Sequence, residues 1–178
     1  MGGDFVNSEK ICEKALAELA EGNTEALSAI YGEMSRRIFS LAYTVTGNYC
    51  DAEDVLQNTM IDITRYCRGY SGGSIGAWIM TIARNNALDI VRKRHSGAET
   101  ELCDEEANEC PQASDAFAAV EIMDMLSVLD EEEKQIVLLR LYQEMPYREI
   151  AEVMGIKIFA AQKRYQRAIS KLKKYNPR

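Results

Sequence analysis

This chain has little proline, one histidine, one tryptophan and no long apolar run. Its three prolines (Pro111, Pro146, Pro177) leave most of its 178 residues free to continue a helix. His95 is the single histidine, and the five cysteines (Cys12, Cys50, Cys67, Cys103, Cys110) are scattered with no Cys-x-x-Cys pair. That pattern argues against a zinc site and against a disulfide framework, and it fits a reducing cytoplasm. Cys103 and Cys110 share a polar segment and are read as incidental thiols rather than a redox pair. No stretch approaches the roughly 18 apolar residues that would span a bilayer, and the N-terminal residues carry no signal-peptide core. Catalytic sets are missing as well: there is no Ser-His-Asp arrangement, no G-x-x-x-x-G-K and no H-E-x-x-H. The expectation is a non-enzymatic protein with no cofactor, no metal, no small-molecule substrate and no membrane insertion.

What is there is helix. Apolar residues make up 47% of the chain and charged residues 28%, enough to bury a core. Strand-like alternation is absent, so the fold class is all-α. A first helix is expected near Ser8–Ala20. A second follows Asn23-Thr24, with Leu27, Ile30, Tyr31, Met34, Ile38, Leu41, Ala42 and Val45 on one buried face, and stops at Gly47-Asn48. Asp51 is the expected cap of a third, with Val55, Leu56, Met60, Ile61 and Ile63 largely inside. A glycine- and serine-rich loop from Gly69 to Gly76 leads into a fourth, from about Ile75 to Arg94.

The composition then changes. From Ser96 to Ala116 seven acids (Glu99, Glu101, Asp104, Glu105, Glu106, Glu109, Asp115) occur with no base and few large apolar groups. Such a segment buries too little to offset its ordering entropy, so a flexible linker is expected over 96–116. It separates two helical domains, 8–95 and 117–175. The second holds helices over Phe117–Leu129, Glu131–Tyr142, Tyr147–Met154 and Ile158–Lys174. Asp130 is a plausible cap ahead of three glutamates, and Pro146 suits a first helical turn.

Charge is distributed unevenly. The whole chain carries a net charge of −7, yet after Gly155 there are eight Lys or Arg and no Asp or Glu. Tyr147–Met154, Gly155 and Ile158–Lys174 read as a helix-turn-helix, in which Gly155 supplies the left-handed turn. Ile150, Ala151 and Val153 are expected inside, with Ile156 and Ile158 packing the second helix back onto the first. Lys157, Phe159, Gln162, Lys163, Arg164, Gln166 and Arg167 are candidates to face DNA, Arg and Gln reading base edges and Lys neutralising phosphate. Phe159 suits a thymine methyl or an inward packing role. In the fourth helix Trp78, Ile79, Ile82, Ala83 and Ile90 suit a buried stripe, while Arg84, Asn85, Asp89 and Arg92 recur on another side. Tyr66, Tyr70 and the glycine-rich loop are candidates to touch an unstacked base. Asp51, Asp54 and Asn58 share one side of the third helix, which on spacing alone is an acidic helix start.

Three segments in this order resemble the extracytoplasmic-function sigma factors of bacterial RNA polymerase. Asp51-Ala52-Glu53-Asp54-Val55-Leu56-Gln57 is similar to that family's region 2.2. Ser74-Ile75-Gly76-Ala77-Trp78-Ile79 with Ile82-Ala83-Arg84-Asn85 and Asp89 resembles regions 2.3 and 2.4. Leu138-Leu139-Arg140, Tyr147-Arg148-Glu149-Ile150-Ala151 and Gly155-Ile156 resemble region 4. The resemblance implies a region 2-like bundle and a region 4-like helix-turn-helix on a tether, with no catalytic residues. It implies that Asp51, Asp54, Gln57 and Asn58 contact the clamp helices of the largest polymerase subunit. Tyr70, Arg84, Asn85, Asp89, Arg92 and Lys93 would meet the minus-ten promoter element. Lys157, Phe159, Gln162, Lys163, Arg164 and Arg167 would meet the upstream (minus-thirty-five) element. An anti-sigma factor is implied as a further partner. Asn58, Met60 and Phe159-Ala160-Ala161 depart from the family pattern. They leave room for a sigma-like decoy that binds an anti-sigma factor, and a stand-alone helix-turn-helix repressor is the remaining alternative.

Overall fold

The computed structural model describes residues 3–96 and 126–175, with side chains from residue 7 onward. The expected linker therefore lies almost wholly outside the described residues, as do Cys103, Cys110 and most of the helix expected over Phe117–Leu129. Among the described residues there are seven α-helices and no strand: α1 (Gly3–Ala20), α2 (Leu27–Thr46), α3 (Tyr49–Tyr66), α4 (Ile75–His95), α5 (Glu131–Val137), α6 (Tyr147–Met154) and α7 (Ile158–Lys174).

The helix boundaries have local causes. A short 3-10 turn, Thr24–Ala26, is opened by the Asn23 side chain and leads into α2. Gly47 ends α2 in the left-handed region (φ 65°) and returns its N–H to the Tyr43 carbonyl at 2.8 Å. The helix α3 then starts three residues earlier than expected. Its cap is Asn48, whose Oδ1 accepts the Asp51 N–H at 3.0 Å, so Asp51 lies in the first turn and does not cap it. Ser74 caps α4, and α1 reinforces that cap. Glu9 Oε1 accepts the Gly76 N–H at 2.9 Å and the Ser74 hydroxyl at 3.1 Å. A carboxylate against the N-terminal amides of α4 satisfies donors that the helix itself cannot. A Cβ at Gly76 would stand 2.7 Å from Glu9 Oε1, so a larger residue there would push that carboxylate aside.

At the start of α5, Asp130 and Glu133 form a reciprocal capping box. The helix ends in a π-helical turn, Leu138–Tyr142, in which the Gln143 N–H reaches the Leu138 carbonyl. Pro146 sits at the cap of α6, one position before the first turn.

One apolar cluster runs through both halves of the chain. Leu16, Ile30, Met34, Ile38, Leu41, Ile63, Ile79 and Met80 join Ile136, Leu139, Met145 and Ile150 in it. Each such side chain contributes roughly 1.5–3 kcal/mol on full burial. The helices α4 and α6 pack against each other, and α2 meets α5, so the C-terminal helices close over the N-terminal bundle. A smaller cluster of Ala42, Ala52, Val55 and Ala87 lets α2, α3 and α4 approach closely, and Leu126, Leu129, Val137 and Ala168 seat α7 on α5.

Four packing expectations change. Tyr31 and Ile61, expected inside, are 51% and 55% exposed. Ile61 lies well off the arc of α3 occupied by Val55, Met60 and Ile63. Ile158 is 47% exposed, so Ile156 and Ala161 hold the start of α7 in place of it. Trp78 is half-buried, with its ring tilted against Tyr70 at 5.5 Å.

Candidate nucleic-acid interface

The helix-turn-helix is closed by a Schellman turn. Gly155 takes φ 64°, its N–H bonds the Glu152 carbonyl at 3.1 Å, and the Ile156 N–H bonds the Ala151 carbonyl at 2.9 Å. Ile150, Ala151 and Val153 are buried under it, as expected. Ala161 and Ala168 are the buried residues of α7. The opposite side carries Phe159, Gln162, Lys163, Gln166 and Arg167, all exposed, with Lys157 exposed just ahead of the helix. Phe159 is 73% exposed, which leaves its ring to solvent. No side chain caps the N-terminus of α7, so its first amides point outward beside these cations.

Arg164 is placed differently. Its guanidinium pairs with Glu132 of α5 and is only partly exposed, turned off the row formed by Lys163 and Arg167. Lys171, on the same inner side, donates to Glu133 at 2.6 Å. The acids that open α5 thus engage two of the basic residues of α7.

On α4, Asn85, Asp89 and Arg92 form one exposed row, in which Arg92 and Asp89 pair at 2.8 Å. Lys93 faces a groove of about 520 Å³ between α3 and α4, shared with Asn58, Asp62, Arg65 and Asn86. Arg84 is turned toward α5, where its Nε donates to Gln135 Oε1 at 2.8 Å. Burial pushes its guanidinium below the usual arginine range, with Glu132 opposing and Arg164 and Arg92 adding to that shift. Tyr70 leads the loop before α4, its hydroxyl donating to the Gly73 carbonyl at 2.8 Å. Burial and the nearby Glu13, Glu9 and Glu152 raise its phenol above the usual range, keeping it a neutral donor. The six residues suggested for this region therefore divide: Asn85, Asp89 and Arg92 together, Lys93 beside them, Arg84 covered, and Tyr70 at the loop.

On α3, Asp54, Gln57 and Asn58 are exposed, whereas Asp51 is half-buried and ion-paired with Arg94 at the end of α4. Gln57 borders a groove of about 620 Å³ lined by Leu27, Tyr31, Leu56, Met60 and Ile61. Sequence reasoning missed this groove. Its signal was that α3 carries more apolar residues than one helix face holds.

Comparison with known proteins fits this arrangement. The model of sigma-70 region 2 matches residues 30–96, and that of sigma-70, region 4, matches residues 119–172. The two matched segments take in nearly all of α2 to α4 and of α5 to α7, which defines a protein of the sigma-70 type. The chain is 29% identical over 147 residues to the ECF RNA polymerase sigma factor SigE of Mycolicibacterium smegmatis, covering 78% of this chain and 57% of that one. It is 29% identical over 157 residues to the RNA polymerase sigma factor CarQ of Myxococcus xanthus, covering 86% and 90% respectively. The chain thus spans little more than half the length of SigE. Its fold is similar to that of CnrH, solved in complex with the cytosolic domain of CnrY, with a TM-score of 0.70 at 20% identity over 93% of this chain and 95% of that one. The chain belongs to the extracytoplasmic-function sigma factor family.

Proposed function

We propose that this chain is a promoter-specificity subunit, which joins the RNA polymerase core, directs it to particular promoters and starts transcription without catalysing a reaction itself. One observation carries the reading: a single chain matches region 2 and region 4 in order, and each half presents a polar helix face to solvent. The residues 8–95 act as the core-binding and minus-ten unit, 96–116 as an acidic tether and 117–175 as the upstream-element unit. The work is done in the cytoplasm.

Asp54, Gln57 and Asn58, beside the groove that holds Tyr31 and Ile61, form the docking face for the clamp helices of the polymerase. Apolar anchors rimmed by polar groups suit a protein partner. Asp51 supports that face by fixing α3 to α4 through Arg94. Asn85, Asp89 and Arg92 meet the minus-ten strand with Tyr70 and Lys93 flanking, and Arg84 joins them once α5 moves away. Lys157, Phe159, Gln162, Lys163 and Arg167 enter the major groove of the upstream element, and Arg164 does so on release from Glu132. An anti-sigma protein is a further partner, in keeping with the sigma factor RpoE of Bartonella quintana, a similar fold solved in complex with the anti-sigma factor NepR.

The net charge of −7 opposes binding of free protein to DNA, so core polymerase supplies most of the affinity. Run-off transcription on a library of promoter fragments tests the reading. Core plus this chain is expected to give discrete transcripts that core alone does not. No new transcript would exclude a sigma role, and a palindromic footprint without polymerase would identify a repressor.

A further inference from the structure

The contact between the two halves is not only apolar. Arg37 of α2 and Gln143, after the π-helical turn, exchange two hydrogen bonds: Arg37 Nη2 donates to the Gln143 carbonyl at 3.2 Å, and Gln143 Nε2 donates to the Arg37 carbonyl at 3.0 Å. The Arg37 guanidinium also faces the carboxylates of Glu9 and Glu149. Glu149 of α6 is half-buried against the start of α4, close to Ser74, and its Oε2 has no partner among the protein atoms. These groups come from α1, α2, the cap of α4, the turn after α5, and α6. They therefore join every layer that must separate for the C-terminal helices to leave the bundle.

We infer that Glu9, Arg37, Gln143 and Glu149 form a proton-sensitive latch that holds the C-terminal helices over the Arg84 face of α4, and that acid strengthens it. The importance of that face rests on the sigma reading above; the latch itself does not. The charged groups facing Glu149 are Glu9 from α1, Arg37 from α2 and Glu152 from α6, with the neutral Ser74 at the cap of α4. Burial raises the Glu149 carboxyl above the usual carboxylate range. The nearby Ser74 hydroxyl opposes this, Glu9 adds to it, Arg37 opposes and Glu152 adds. A raised value in the closed state means that closure takes up a proton. The stabilisation is fully present below the ordinary carboxylate pKa and is lost as pH rises through the raised one. Opening the latch returns Glu149 to water as a carboxylate and frees Arg84 from Gln135.

The test is small-angle scattering of the full chain, alone, from about pH 8 down to about pH 4, which reaches the ordinary glutamate range. The wild type is expected to contract as pH falls. Glu149→Gln, a neutral stand-in for the protonated acid, should stay compact across the range. Gln143→Ala, which removes one of the exchanged hydrogen bonds, should shift the wild-type profile toward the expanded form. A wild-type radius that does not change, or a Glu149→Gln profile that follows the wild type, overturns the latch. Neither result touches the transcription assay, which uses core polymerase, so failure of the latch and failure of the sigma reading are read separately.

Discussion

The Nε of Arg84 donates to Oε1 of Gln135 across 2.8 Å, and this contact joins the helix proposed to meet the minus-ten strand to α5, the first described helix of the region 4 segment. Gln135 is buried, so its amide oxygen has little water to bind in place of the guanidinium. In the proposed role, DNA would compete with Gln135 for Arg84. Gln135→Ala is predicted to loosen the closed form by on the order of 1 kcal/mol, the net worth of one such hydrogen bond, and more if the guanidinium stays covered. Hydrogen exchange of the α4 and α5 amides measures this. Exchange as slow as in wild type would show that the bond does not hold the halves together.

The turn between α6 and α7 offers a backbone test. Gly155 sits at φ 64°, and a Cβ placed there meets nothing within 4 Å. Gly155→Ala therefore costs backbone strain without a clash, about 1–2 kcal/mol for a non-glycine residue held in the left-handed region. Thermal unfolding should show a Tm lowered by several degrees, with the helical circular dichroism signal below the transition retained. An unchanged Tm would mean that the turn relaxes freely.

Much of this arrangement was legible in the sequence where cause is local. Gly47, Asp130 and Gly155 lie at helix ends because their own chemistry serves them, and α6 and α7 keep the limits read for them, whereas the cap of α3 falls on Asn48 and not on Asp51. What was hidden depends on contacts distant in the chain. Nothing near Arg164 in sequence announces Glu132, and nothing near Asp51 announces Arg94. The same holds for Tyr31 and Ile61, because an apolar residue does not state whether its partner is its own core or another protein.

Three thiols provide a reactivity test. Burial pushes the Cys12 thiol up to about 12, with Glu33 and Glu9 adding to the shift and Arg37 opposing it. The thiolate is the reactive form, so Cys12 is predicted to resist alkylation at about pH 8 in the folded protein and to react on unfolding. Cys67 is also buried, whereas Cys50 is only partly so. Peptide mapping after brief exposure to iodoacetamide should find Cys50 modified ahead of both. Early modification of Cys12 would mean that α1 leaves the bundle readily.

The docking face can be separated from the fold because its anchors are exposed. Tyr31 and Ile61 border the groove between α2 and α3, and removing either ring or branch leaves the internal core intact. Tyr31→Ala and Ile61→Ala are each predicted to weaken association with core polymerase by about tenfold or more, equivalent to about 1.4 kcal/mol at an interface anchor. Their effect on Tm should be small. Core binding measured by fluorescence anisotropy at wild-type strength in both variants would move the docking face elsewhere on α3.

The cations of α7 divide by partner, and that division predicts different salt behaviour. Lys163 and Arg167 are exposed on the outer row, whereas Arg164 is held by Glu132. A cation that neutralises one phosphate adds about 0.9 to the slope of log K against log salt on duplex DNA, so Lys163→Ala and Arg167→Ala should each lower the slope for the polymerase complex by about 1. Arg164 must first leave Glu132, so its attraction to DNA is offset by that lost pair. Arg164→Ala should therefore change affinity less than Arg167→Ala, and Glu132→Gln should tighten binding by freeing the guanidinium. If Arg164→Ala instead gives the largest loss and Glu132→Gln changes nothing, the ion pair opens without cost and Arg164 belongs with the outer row.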